Sequence, residues 1–277
     1  MKVFPVALCF LIAGLTAACS GAQERDLGVD EMVFADDSAI VSIPAWKPPP
    51  RPRRVASAGT PVLPRSGPLP GAVCDGNHDS PSRSIGQATD GALQDACRMP
   101  ANGSGWVSVN RPSSFGTDEA VAMLQWAAAQ VVAQYPGSQP VVFGALSAEN
   151  GGTLRPHKSH QSGRDVDISY FHTDKRALRR FEPTDSGNLD SERTWAFLET
   201  LLYTGNVAFV FMDYNIQAVL YADLLDSGWS EDGLAGLFQY PAGPGVPRGV
   251  IRHATGHADH FHVRFRCADK DKPDCAD

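Results

Sequence analysis

No basic stripe runs through this sequence. The formal net charge is −7 over 277 residues, and phosphate contacts are normally made by clustered Lys and Arg, so no nucleic-acid partner is expected. The short run Arg51-Pro-Arg-Arg54 lies in a proline-rich stretch and is too small to change that. No apolar run is long enough for a lasting transmembrane helix, since the N-terminal run ends after Val3 to Leu15. Paired Cys-x-x-Cys knuckles are missing, which argues against a zinc-thiolate site. There is no internal repeat and no regular strand–helix–strand rhythm, so a purely parallel sheet is not expected. What remains is ordinary for a globular domain with a sizeable core: 43% hydrophobic and 20% charged residues.

The N-terminus reads as an export signal over residues 1–19. Lys2 supplies a positive start, Val3 to Leu15 the apolar segment, and Thr16-Ala-Ala18 small residues suited to cleavage. Cys19 follows them as in a bacterial lipobox, although Thr16 stands where such a box usually carries Leu. Two outcomes are open: lipidation of Cys19 with outer-membrane attachment, or ordinary cleavage after Ala18 or Ala22. Either way a periplasmic protein is expected. Residues 20–73 are first acidic and then proline-rich, a composition that buries little and suits a tether. The working domain is expected over 74–277. Its cysteines are Cys74, Cys97, Cys267 and Cys275, an even number that in an exported chain suggests two disulfides, with three pairings open.

Within the domain, Gly103 to Asn110 gives a short strand signal. Thr117 is a natural N-cap, with Asp118 and Glu119 near the positive end of the helix dipole. Val121, Leu124, Ala128, Val131, Val132 and Tyr135 then follow helical spacing up to Pro136-Gly137. Pro140 to Ser147 reads as a buried strand and Glu192 to Tyr203 as a helix stopped by Gly205. A strand is expected over Val207–Met212, a helix from after Asn215 to Gly228, a loop over Tyr240–Gly249 and a strand over His260–Phe265. The fold class expected is α+β, with a central antiparallel sheet flanked by helices and the functional site on the sheet.

Five of the eight histidines fall in two stretches, Arg155 to Ser169 and His257 to His262. On a strand, His260 and His262 point to one face while Phe261 and Val263 point to the core. Two imidazoles on one face suit zinc, although a bare His-x-His is more often a pair of surface histidines. His160 and Asp167 lie seven apart, an odd offset that needs a turn between them, and Ser162-Gly163 supplies one. Three protein ligands with an open fourth position would be the arrangement of a catalytic zinc.

His157-x-x-His160-Gln-x-Gly-x-Asp165-x-Asp167 and His257-x-x-His260-x-His262 closely resemble the two signatures of the penicillin-insensitive murein endopeptidases. Those zinc peptidases share motifs with D-alanyl-D-alanine peptidases and lysostaphin-type peptidases. The resemblance covers about Val107 to Cys275. It implies one zinc ion held by His160, Asp167 and His262, with His260 and then His257 as candidate proton carriers, and hydrolysis by a metal-activated water. His157 would line the cleft or serve a second metal, for which no further ligand pair stands out. Asp165 would orient a ligand histidine. The spacing of Cys267 and Cys275 also resembles the family's, which leaves Cys74 to pair with Cys97.

The activity this implies is cleavage of D-amino-acid cross-links in peptidoglycan, at the D-alanyl–diaminopimelyl bond, with peptide stems as partner. A D,D- or L,D-carboxypeptidase on the same scaffold is the alternative enzyme. A wall-binding module that keeps zinc without hydrolysis is the alternative of another class. Arg155, Arg164 and Arg264 read as solvated charges or as contacts to stem carboxylates, and His78, His172 and His253 as surface residues.

Overall fold

The computed structural model describes residues 69–277. The expected leader, Cys19 and most of the proline-rich tether lie outside the described residues. Among the described residues no helix is long and apolar enough to cross a membrane.

The chain opens with a hairpin of β1 (Arg83–Gly86) and β2 (Gly91–Gln94), then β3 (Cys97–Arg98), β4 (Asn102–Gly103) and β5 (Trp106–Ser108). The strand signal at Gly103 to Asn110 therefore resolves into two strands, because Gly105 takes φ +91° and reverses the chain. After β6 (Phe115–Gly116), which pairs with β3, comes α1 (Asp118–Gln134). Its N-cap is Thr117, whose Oγ1 accepts from the Ala120 amide at 3.2 Å. Then follow β7 (Val141–Phe143), β8 (Asp165–Ser169), α2 (Ser191–Tyr203) and β9 (Val207–Met212). α3 (Tyr214–Asp226), α4 (Glu231–Ala235), β10 (Ile251–His253) and β11 (His260–Phe265) complete the fold. α3 starts two residues earlier than the pattern indicated, because Asp213 caps it through the Asn215 amide.

The central sheet has the order β10-β9-β11-β8-β7-β5-β4. Class α+β holds, but the sheet is mixed rather than antiparallel: β5 pairs parallel with β7, and β10 parallel with β9. The reason is connectivity. α1 lies in the crossover from β5 to β7, and α3 with α4 in that from β9 to β10, which a parallel pair requires. At the centre, β11 runs antiparallel to both of its neighbours, β9 and β8.

The core fills one face of this sheet. Val166, Ile168, Phe261 and Val263 are fully buried there with Leu124 and Val131 of α1 and Phe197 and Leu198 of α2. The Phe197 and Phe261 rings lie 6.2 Å apart, edge to face. Strand alternation sends the intervening residues of β8 and β11 to the other face. Two disulfides, Cys74–Cys97 and Cys267–Cys275, staple the domain's two ends.

Candidate metal centre

β8 and β11 hold the two motifs against each other. In their antiparallel register His262 lies opposite Asp167, Arg264 opposite Asp165 and His260 opposite Ser169. Directly opposed residues share a face, so imidazoles and carboxylates meet on the side away from the helices. His160 joins them from the preceding loop, where Gly163 takes φ +73°. A Cβ at Gly163 would meet the Leu93 methyls at 2.7 and 2.8 Å, so glycine is needed there for space as well as for conformation. His160 itself takes φ +66°, a left-handed conformation costing about 1–3 kcal/mol in a non-glycine residue. Its amide donates to Asp165 Oδ2 at 3.3 Å and Nδ1–H donates to the Leu146 carbonyl at 2.7 Å.

Three donor atoms converge. His160 Nε2 is 3.3 Å from Asp167 Oδ1, His262 Nδ1 is 3.2 Å from the same oxygen, and the two ring nitrogens are 3.2 Å apart. Ligands at about 2.0 Å from a tetrahedral zinc lie about 3.3 Å from one another. The opposite ring nitrogens are already engaged. His160 Nδ1 faces the Leu146 carbonyl, and His262 Nε2 donates to Asp165 Oδ1 at 2.6 Å. Each ring therefore turns its other nitrogen to the same point, where two lone pairs would repel without a cation or a proton between them. The residues fit a metal ion of zinc's size and ligand taste.

Charge and burial sharpen this. Burial opposes ionisation of Asp165, but Arg264 and His262 outweigh it and hold the carboxyl well below the usual range. Arg264 Nε donates to Asp165 Oδ1 at 2.8 Å. Asp167 is likewise held well below the usual carboxylate range, by His160 and then His262, against its burial. Burial pushes His160 down, yet the Asp167 carboxylate wins and raises its affinity for a proton above the ordinary value. The site thus attracts a positive charge at the centre of the three donors.

His157 supplies a second grouping. Its Nδ1 is 3.7 Å from Asp167 Oδ2, and its ring is 4.4 Å from that of His160. His157, His160 and Asp167 lie close enough to hold an ion, so His160 and Asp167 are common to two overlapping sets, completed by His262 or by His157. Burial lowers the proton affinity of His157.

Two imidazoles stand beside the donors. His260 Nε2 is 3.8 Å from Asp167 Oδ1, while its Nδ1 meets Asp259 Oδ1 at 2.6 Å. Phe181 stacks on the His260 ring at 4.7 Å and 14°. His257 lies 4.8 Å from His260, ring to ring, and its Nδ1–H donates to the Thr255 carbonyl at 3.0 Å. Burial, then His260 and His262, lower its pKa to about 4. It is a neutral base at neutral pH, with Nε2 free of that hydrogen bond.

Some residues have other tasks than the sequence indicated. Arg164 is not solvated. It is 2% exposed and donates to Ser84 Oγ, the Phe265 carbonyl, the Ala276 carbonyl and Asp277 Oδ1, tying the start of β8 to the C-terminus. Arg264 serves Asp165 across the ladder; alternation puts it on the face of His260 and His262, but the partner comes from the register. His172 is buried against Thr184 Oγ1 at 2.9 Å because its segment turns inward. His78 pairs with Asp118, and His253 Nδ1 accepts from the Tyr214 amide. Asp259 and Phe181 gave no signal in the sequence. A second group, Cys74, His78, Cys97 and Asp118, lies within ligating distance, but its sulfurs are joined to each other and do not coordinate.

Fold and site define an α+β protein with a candidate His/Asp metal centre on the central sheet. The sequence model of the penicillin-insensitive murein endopeptidases matches residues 84–196. That span includes His157 to Asp167 and ends before His257. The chain is 27% identical over 204 residues to the penicillin-insensitive murein endopeptidase of Haemophilus influenzae (strain ATCC 51907 / DSM 11121 / KW20 / Rd). The match covers 69% of this chain and 66% of that relative, just under two thirds of its length. Over these residues the chain is similar to the penicillin-insensitive murein endopeptidases.

Proposed function

We propose that the chain is an exported zinc peptidase that hydrolyses D-amino-acid cross-links of peptidoglycan, at the D-alanyl–diaminopimelyl bond. The observation that carries this reading is the convergence of His160 Nε2, Asp167 Oδ1 and His262 Nδ1 at 3.2–3.3 Å from one another. The similarity to murein endopeptidases supplies the substrate class. On this reading residues 1–19 direct export, 20–73 act as a tether, and 74–277 form the peptidase that works in the periplasm. Attachment through a lipidated Cys19 is part of the proposal.

Zinc held by His160, Asp167 and His262 would act as a Lewis acid and lower the pKa of a bound water from about 15.7 towards about 7. The chain's own groups do the rest. Asp165 fixes His262 in the tautomer that presents Nδ1, and the Leu146 carbonyl fixes His160 in the one that presents Nε2. His260 is the first candidate to take a proton from the attacking water and return it to the leaving amine, with His257 second. Asp259 and Phe181 hold the His260 ring, while the Tyr170 hydroxyl holds the backbone at His257 by donating to its carbonyl at 3.0 Å.

The test is incubation of the purified protein with cross-linked muropeptide dimers, with and without chelator. Chelator-sensitive conversion of dimers to monomers is the expected result. Release of free D-alanine would replace this reading by a carboxypeptidase. No product despite bound zinc would leave a wall-binding module.

A further inference from the structure

The segment from Asp174 to Glu182 stands out by charge. Carboxylates outnumber Lys and Arg by 31 to 24 in the whole chain, yet this segment carries Lys175, Arg176, Arg179 and Arg180 against Asp174 and Glu182. Both carboxylates hydrogen-bond to one cation, Arg176, and Arg180 reaches Glu182 only through its charge. Arg176 Nε donates to Asp174 Oδ2 at 2.7 Å and Nη1 to Glu182 Oε1 at 2.9 Å, closing the segment on itself. Lys175, Arg179 and Arg180 are exposed, and their side chains make no hydrogen bond or ion pair among the described residues.

This segment is attached to the candidate site. Phe181, the residue after Arg180, stacks on His260 at 4.7 Å. Its ring also fills the space over Gly144, where a Cβ would come within 2.5 Å of it, and the Gly144 amide donates to the Asp167 carbonyl at 2.9 Å. Beyond Phe181, the Thr184 amide donates to the Ala258 carbonyl at 2.9 Å, between His257 and His260. Leu178 anchors the middle of the segment, 3% exposed. Arg179 and Arg180 are thus held next to the histidine segment, with buried Leu178 before them and Phe181 and Thr184 in contact with that segment after them.

We propose that Asp174–Glu182 is a cationic wall of the cleft, and that Arg179 and Arg180 engage a free carboxylate on the peptide substrate. This rests on the peptidase reading above. Guanidinium groups match a carboxylate with two parallel hydrogen bonds, so this wall selects peptides that keep a free carboxylate near the scissile bond over amidated ones. The wall contributes binding and orientation and leaves the chemical step to the histidines.

The test is calorimetric binding of a D-amino-acid stem peptide with free carboxylates, and of the same peptide fully amidated, to the full chain. Arg179→Glu/Arg180→Glu is compared with Arg83→Glu/Lys272→Glu, which alters net charge equally elsewhere on the surface. The unaltered chain is expected to favour the free-carboxylate peptide about fivefold, and the Arg179/Arg180 reversal to weaken that peptide about tenfold while changing the amidated one less than about twofold. Equal affinity for the two peptides, or an equal effect of both double variants, overturns the wall. Hydrolysis of muropeptide dimers is scored separately. Discrimination without hydrolysis overturns the peptidase reading alone, and hydrolysis without discrimination overturns the wall alone.

Discussion

At the scale of single residues, the site assigns distinct tasks to chemically identical groups. His160 and His262 each spend one ring nitrogen on a fixed acceptor and turn the other to the common point. His260 and His257 stand beside that point without closing it. His160→Ala is therefore expected to lose zinc, whereas His260→Ala keeps zinc and loses about 10²–10⁴-fold in turnover, the range for a general acid–base group. Metal analysis beside kcat checks both, and a fully active His260→Ala removes His260 from its role. His257 makes a pH prediction. Its folded pKa, about 4, lies below the ordinary value of 6.5. As pH falls from 6.5 to 4 the unfolded chain takes up a proton that the folded chain refuses, so stability is lost with acid over that window. The loss from this one group is about 3 kcal/mol when complete. In the metal-free protein, His257→Gln should flatten the urea midpoint between pH 6.5 and pH 4.5 relative to the unaltered chain; parallel curves would contradict this.

At the scale of elements, the ladder between β8 and β11 is what turns two separate motifs into one site. Alternation on each strand was readable, so His260 with His262, and Val166 with Ile168, fell on their correct faces in the sequence. The turn between His160 and Asp167 was readable too, through Gly163. What the sequence did not carry was pairing: that Arg264 lies opposite Asp165, or that Phe181 returns from a distant loop to cover His260. Such contacts depend on register and loop packing, which leave no periodic trace. The sheet was misread for a similar reason. Each parallel pair is set by a helical crossover, and β10 is only three residues long. Gly163 tests the turn. Gly163→Ala should cost about 1–2 kcal/mol for its φ alone and more from the clash with Leu93, and should lower zinc occupancy. Gly137→Ala, with φ +82° and open space around it, should pay the conformational cost and keep its zinc. Equal zinc in both variants would show that the turn does not place His160.

At the scale of the whole molecule, each end of the described chain is held by a disulfide, and the C-terminal one is tied to the sheet that carries the site. The disulfide Cys267–Cys275 follows β11 directly, and the Cys267 amide donates to Asp277 Oδ1 at 2.6 Å. Arg164 then links that C-terminus to the start of β8. The bridge Cys74–Cys97 closes a loop of 23 residues in sequence at the other end. Loop closure predicts a loss of about 3 kcal/mol on opening Cys74–Cys97 and slightly less for Cys267–Cys275, whose sequence separation is 8. Only the second is wired to the strands of the metal centre. Cys267→Ser/Cys275→Ser should therefore lower zinc affinity as well as the melting temperature, while Cys74→Ser/Cys97→Ser lowers the melting temperature alone. Thermal melts with and without zinc separate the two.

The central claim is that the ion sits among His160, Asp167 and His262 rather than among His157, His160 and Asp167. Zinc content per chain, measured side by side on purified His157→Ala and His262→Ala, tests it most directly. The expected result is about one zinc retained in His157→Ala and none in His262→Ala. Zinc retained in His262→Ala and lost from His157→Ala would contradict it.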